Sequence, residues 1–180
     1  MRGFSPDCQK HHRLYLDSIS SGILIAQMLY DDQSQPADAL ILEVNSAFAA
    51  VVDRPKESIP GKRLRNLYPG LGPKWLRKCA EIMEKGVSER LELYSGALGG
   101  WFEFLVSPLA GGKFGVMLTD ISERKEMEIL LQESESRYRK LFETANDGFW
   151  WLDNDGYLIE TNEGTANLLG YRPEDLVGRH

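Results

Sequence analysis

The apolar positions of this chain follow two rhythms, one fitting strands and the other fitting helices. Gly22 to Tyr30 is a run of β-branched and large apolar residues that reads as a strand, and Ala39 to Val44 reads as a second. Between them, Asp31 to Asp38 is polar, contains Pro36 and predicts a loop. Asn45 directly precedes Ser46 to Val52. An Asn in that place accepts a hydrogen bond from an orphan N–H of the first turn, so a helix is predicted to start there. Arg54-Pro55-Lys56-Glu57 predicts another short helix with Pro55 near its first position, and Pro60-Gly61 ends it. From Gly72-Pro73 a longer helix is predicted, because Trp75, Leu76, Cys79, Ile82 and Met83 fall on one apolar face, with Gly86 closing it. Three more strands follow, Glu89 to Tyr94, Trp101 to Pro108 and Phe114 to Thr119, joined by turns rich in glycine. Upstream, Lys10 to Ser20 predicts a short helix carrying Leu14, Leu16 and Ile19. Two early strands cannot cover these helices, so the late strands are expected to complete one sheet.

The pattern then changes sharply at Asp120-Ile121-Ser122-Glu123-Arg124. Asp120 or Ser122 can cap a charged helix running from about Glu123 to Phe142, roughly 30 Å long at 1.5 Å per residue. Met127, Leu131, Tyr138 and Leu141, with Ser134 among them, recur at heptad spacing. Two readings stand. The seam pairs two chains in a homodimer, or the helix packs its apolar stripe on its own domain.

An internal repeat underlies the chain. Leu42-Glu43-Val44-Asn45 resembles Ile159-Glu160-Thr161-Asn162, an offset of 117 that also relates Glu57 to Glu174 and Gly61 to Gly178. Upstream, Ser21-Gly22-Ile23 resembles Asp147-Gly148-Phe149 at an offset of 126. The nine extra residues of the first copy are expected in a longer polar loop after its first strand. The second copy has Asp153-Asn154-Asp155-Gly156 there, a compact hairpin signal. It stops at His180 without counterparts of the long helix and the last three strands. Phe149, Trp150 and Trp151 are therefore expected to be exposed, and the stop reads as a boundary of the sequence rather than of a fold.

These features in this order resemble the PAS domain family. The first copy carries the Gly22-Ile23 strand start, Glu43-Val44-Asn45, Glu57 with Gly61, Trp101 with Ser107-Pro108, and the run Asp120 to Lys125. The second carries Tyr138 to Glu143, Asp147-Gly148, Asn162, Leu169-Gly170-Tyr171 and Leu176-Val177-Gly178. The resemblance implies an α+β fold, a five-stranded antiparallel sheet with flanking helices, followed by a long helix and a partial second copy. It implies a tail over 1–12, a PAS domain over 13–122, a signalling helix over 123–142 and the N-terminal part of a second domain over 143–180.

The family's ligand pocket lies between sheet and helices. Ile23, Ile25, Leu42, Phe48, Leu67, Trp75, Ile82, Phe104, Val116 and Leu118 are the candidate lining, and a one-residue error in register would turn a strand's members to the other face. Asn45, Gly61, Asp120 and Ser122 are the structural and junction positions. The resemblance implies a sensory input module that binds a small ligand or cofactor and relays the change through the helix to an output domain, such as a histidine kinase or a diguanylate cyclase. A ligand-free dimerisation and relay module is the alternative, and a small enzyme a third reading.

Composition narrows the chemistry. With 42% apolar residues the chain supports a core, and 21 Lys+Arg against 27 Asp+Glu leave a net charge of −6, unsuited to nucleic acid. The basic stretch Lys62, Arg63, Arg65 reads as a solvated face. Cys8 and Cys79 form no disulfide framework, no signal peptide opens the chain, and the run Gly22 to Tyr30 is too short to cross a membrane, so a soluble, cytoplasmic segment is expected. His11, His12 and His180 lie off the long helix, which disfavours haem by the family's usual route. There is no Asn-Cys pair for cysteinyl-flavin chemistry, and Cys79 reads as a core thiol. A non-covalent flavin or metabolite stays open, so the cofactor is unassigned.

Cys8, His11 and His12 lack the partners of a zinc site, so no metal is expected. Gly112-Lys113 is not a phosphate loop, since Ser107 stands where its first glycine belongs. Gly99-Gly100-Trp101 lacks the acidic residue of a cyclase signature, and His11-His12-Arg13 lacks the surroundings of a phosphoacceptor histidine. With no nucleophile, base and acid in a set, no catalysis is expected of this chain.

Overall fold

The computed structural model describes residues 11, 14–68, 73–96 and 98–180. The chain divides into two compact units, Met1–Glu123 and Arg124–His180. The first holds a helical turn at residues 14–17 (α1), then β1 (Gly22–Tyr30), β2 (Pro36–Val44) and α2 (Ser46–Val51). A 3-10 turn at Lys56–Ser58 follows, then α3 (Leu64–Leu67), α4 (Pro73–Lys85), β3 (Glu89–Ser95), β4 (Gly100–Leu109) and β5 (Lys113–Asp120). The five strands make one antiparallel sheet in the order β2-β1-β5-β4-β3, so the late strands complete the sheet as expected.

Along β1, buried Leu24, Ala26 and Met28 alternate with half-buried Ile23, Ile25 and Gln27. The buried set shares one cluster with Phe48 of α2, Leu76, Cys79 and Ile82 of α4, and Phe102, Val106, Phe114, Val116 and Leu118 of the late strands. The helices therefore cover one face. Removing a large side chain from such a core to Ala costs about 2–5 kcal/mol. The packing is close at Gly22, where an added Cβ would stand 3.1 Å from the Phe48 Cα.

The turn after β1 is shorter than predicted. Asp31 folds back on it, its N–H donating to the Gln35 carbonyl at 2.9 Å while its Oδ1 accepts from the N–H groups of Gln33 and Gln35. The strand resumes at Pro36, a first position at a sheet edge where a missing N–H is tolerated. The predicted helix at Arg54–Glu57 is a single 3-10 turn with Pro55 before it. Helix α3 was not legible in the pattern, because four residues show no period; Asp38 starts it by accepting from the Arg65 N–H at 3.2 Å. Gly86 closes α4, as expected, with φ +69°. Gly72 and most of the predicted tail lie outside the described residues.

The second unit follows from α5 (Ser122–Thr144) and contains β6 (Trp150–Leu152), β7 (Leu158–Thr161), α6 (Glu163–Leu169) and α7 (Pro173–Leu176). It repeats the hydrogen bonds of the first unit. Gly61 N–H donates to the Ile41 carbonyl and Gly178 N–H to the Leu158 carbonyl, each at 2.8 Å. Both glycines have positive φ, +82° and +84°, a conformation that a side chain would strain.

The nine extra residues of the first copy are not in the loop. Asp153 makes the turn that Asp31 makes: its N–H donates to Tyr157 O, and its Oδ1 accepts from Asp155 and Tyr157 N–H. An aspartate closing on two N–H groups fixes the turn's length, so the added residues lengthen β1 and β2 instead. Leu42 is not one of them: it is left over where the pairing shifts from Ile25↔Glu43 to Ala26↔Ile41, just as its counterpart Ile159 is left over between Trp151↔Glu160 and Leu152↔Leu158. Phe149, Trp150 and Trp151 are exposed, as expected of a two-stranded hairpin.

Candidate functional site

The space between the sheet and α2–α4 is where the sequence placed its pocket residues. Phe48, Ile82, Val116 and Leu118 are buried in the cluster there. Leu67, Trp75 and Phe104 are partly buried against it, with the Trp75 and Phe104 rings edge to face at 4.8 Å. Three candidates do not join them. Ile23 and Ile25 occupy the alternate positions of β1 and so stand on the opposite face of the sheet. Leu42 is the bulged residue and is 38% exposed. The reason is common to all three. Nearly every side chain from Ile23 to Leu29 is apolar, so alternation gave no face, and a bulge shifts the side chains beyond it.

Tyr68, which the sequence did not single out, ends α3 at the edge of this cluster. Its hydroxyl is buried and has no hydrogen-bond partner among the described residues. Burial pushes its pKa up to about 12, against the pull of the Arg54 charge. A buried hydroxyl without a partner costs free energy unless something supplies one. Cys79 lies deep in the same core, its thiol raised to about 12 by burial alone, so it is a packed thiol and not a nucleophile.

At the end of β5, the central strand of the sheet, sits the junction. Asp120 Oδ1 accepts from the Ser122 N–H at 2.9 Å, which turns the end of β5 into the start of α5. Ser122 Oγ accepts from the Trp101 N–H at 3.0 Å, and Ile121 N–H donates to the Trp101 carbonyl at 2.9 Å. Ile121 is buried. The first turn of α5 is thus bonded directly to the head of β4. Asp120 and Ser122 both act at this junction, where the sequence placed them.

Asn45 is bonded to the start of β1, which pairs with the end of β5, and Gly61 is bonded to Ile41 of β2. Asn45 is fully buried, and its Oδ1 accepts from Phe48 N–H at 2.9 Å as the predicted cap of α2. A clamp on the surface was not legible. Asp17 accepts from Lys56 Nζ at 2.6 Å and from the Ser46 N–H and Oγ–H at 2.8 Å each, uniting three stretches remote in sequence.

No residue of α5 is buried. Met127, Leu131 and Leu141 of the seam are exposed. Tyr138 of the seam is exposed as well, and it touches other rings of its unit. Its ring lies parallel to Trp151, 6.0 Å between centroids, in an aromatic cluster with Phe142. Among the described residues no group of side chains is arranged to hold a metal ion, and no helix is long and apolar enough to cross a membrane.

Two PAS domain family models match the sequence, one over residues 28–123 and another over 136–179. Sporulation kinase E of Bacillus subtilis (strain 168) is 34% identical over 69 residues, which are 38% of this chain and 9% of that protein. The chain therefore aligns with only a small part of that relative. Among solved structures, a domain of an HTR-like protein from Haloarcula marismortui is 18% identical with a TM-score of 0.46, covering 57% of this chain and 99% of that one. The PAS domain of a Colwellia psychrerythraea protein is 20% identical with a TM-score of 0.46, covering 65% and 99%. One of the two family models spans more than half the sequence, and the chain belongs to the PAS domain family.

Proposed function

We propose that this chain is the sensory input part of a signal-transduction protein. The first unit, about residues 13–122, takes a small ligand or cofactor between its sheet and helices. The change passes through the helix from residue 123 to 142 toward an output domain, with residues 143–180 opening a second PAS domain. The observation that carries this reading is the junction. Ser122 hydrogen bonds to Trp101 at the head of β4, so a shift of β4 or β5 moves the start of α5. The buried hydroxyl of Tyr68, without a partner among the described residues, supports a bound polar group. The likeness to sporulation kinase E supports a kinase as the output and a catalytic role lying outside these residues.

The second reading is a relay module without a ligand that pairs with a second copy. The exposed stripe Met127, Leu131 and Leu141 favours it. An absorption spectrum and a native mass spectrum of the purified chain separate the two. A chromophore or a stoichiometric added mass supports the ligand sensor. A colourless chain of bare mass, with no stabilisation in a metabolite screen, overturns it in favour of the relay.

A further inference from the structure

We propose that the buried asparagine of each unit is a joint fastening the incoming helix to the strands, and that Asn162 thereby makes α5 a lever on the second unit. This rests on the relay reading above. Asn45 and Asn162 are among the most buried polar side chains, at 0% and 1% exposure. Each uses both ends of its amide.

The acceptor ends bind backbone N–H groups of strand and helix. Asn45 Oδ1 accepts from Ile23 at 2.7 Å and Phe48 at 2.9 Å. Asn162 Oδ1 accepts from Phe149 at 2.9 Å and Thr165 at 3.0 Å. The donor ends turn the other way, to the chain that arrives. Asn45 Nδ2 donates to the carbonyls of Leu16, Ile19 and Ser21 at 3.0, 3.4 and 2.9 Å. Asn162 Nδ2 donates to those of Phe142, Ala145 and Asp147 at 3.0, 3.4 and 2.9 Å.

The three carbonyls of one set stand 126 positions from those of the other. In both units the first belongs to the last turn of the arriving helix, α1 or α5. The final carbonyls of a helix have no partner within it, and a buried amide NH₂ supplies donors. The side chains around the joint differ, Phe48 against Thr165, Leu16 against Phe142 and Ile19 against Ala145, while the bonds match. The amide therefore sets this geometry, not the packing around it. Helix α5 is held at both ends, by Ser122 bonded to Trp101 at its start and by Asn162 at its finish.

Asn162→Asp in the full chain is the test. It keeps an oxygen for the N–H groups of Phe149 and Thr165 and sets a carboxylate oxygen against the three carbonyls. Amide hydrogen exchange across residues 139–147 is expected to rise about tenfold or more, while Thr165 stays within about twofold and the first unit is unchanged. Unaltered exchange over 139–147 overturns the joint, and so does an equal rise across the whole second unit. Should the second unit melt, Asn45→Asp in the five-stranded unit decides. A gain confined to 14–21 sustains the proposal, and a gain spread through β1–β5 sinks it. Absence of a ligand would defeat the sensor reading and leave every one of these exchange results as they are.

Discussion

Asp17 and Lys56, which are 39 residues apart, meet at 2.6 Å and tie the segment before β1 to the 3-10 turn after α2. The Lys56 and Ser46 hydrogen bonds hold the Asp17 carboxyl at a pKa of about 2, below its ordinary 3.8. A carboxyl with a lowered folded pKa stabilises fully above the ordinary value and loses its contribution as pH falls through the folded one. The clamp is therefore expected at full strength above about pH 4 and gone near pH 2. Because it lies at the surface, Asp17→Asn should cost at most about 1 kcal/mol at pH 7. Urea midpoints of both proteins from pH 7 to pH 2 check this. A difference that fails to shrink toward pH 2 would refute it.

Gly100 and Ser122 are coupled at the junction. A Cβ on Gly100 would stand 2.5 Å from the Ser122 Oγ, displacing it from the Trp101 N–H. Gly100→Ala is expected to cost about 1–2 kcal/mol, and less in a Ser122→Ala background. A double-mutant cycle of denaturation midpoints reads the coupling, and strict additivity would contradict the contact.

Tyr68→Phe removes a buried hydroxyl that has no partner among the described residues. Without ligand the substitution should be neutral or stabilise by up to about 1 kcal/mol. With ligand it should reduce the bound fraction in a native mass spectrum. A loss of stability in the ligand-free protein would show that the hydroxyl has a partner within the chain.

Leu131→Glu places a charge at the middle of the exposed stripe on α5. If the stripe pairs two copies, light scattering should report a dimer for the parent chain and a monomer for the variant, since a charge on a buried seam cannot be solvated. A dimer that survives the change assigns the contact elsewhere.

Cys79 is fully buried and its thiol is raised to about 12. In a Cys8→Ser background, a thiol reagent at pH 8 should label the native chain no faster than it unfolds, and should label it at once in urea. Rapid native labelling would place Cys79 at an accessible surface.

The sequence by itself determined the elements and the repeat. Strand and helix periods, the Asn45 cap, the turn at Gly61 and the junction at Asp120 and Ser122 are local rules, written in the residues that obey them. It also exposed the 117-residue spacing that later appears bond for bond between Gly61 and Gly178. Only the tertiary structure decided which face of β1 is inward, since Ile23 and Leu24 are alike in hydropathy and differ only in what the sheet sets against them. Leu42 falls outside the core because a bulge is a relation between two strands, invisible in either alone. The Asp17 clamp, the exposed stripe of α5 and the burial of the Tyr68 hydroxyl belong to the same class. Each depends on where distant residues come to lie, and that is fixed by packing rather than by local pattern.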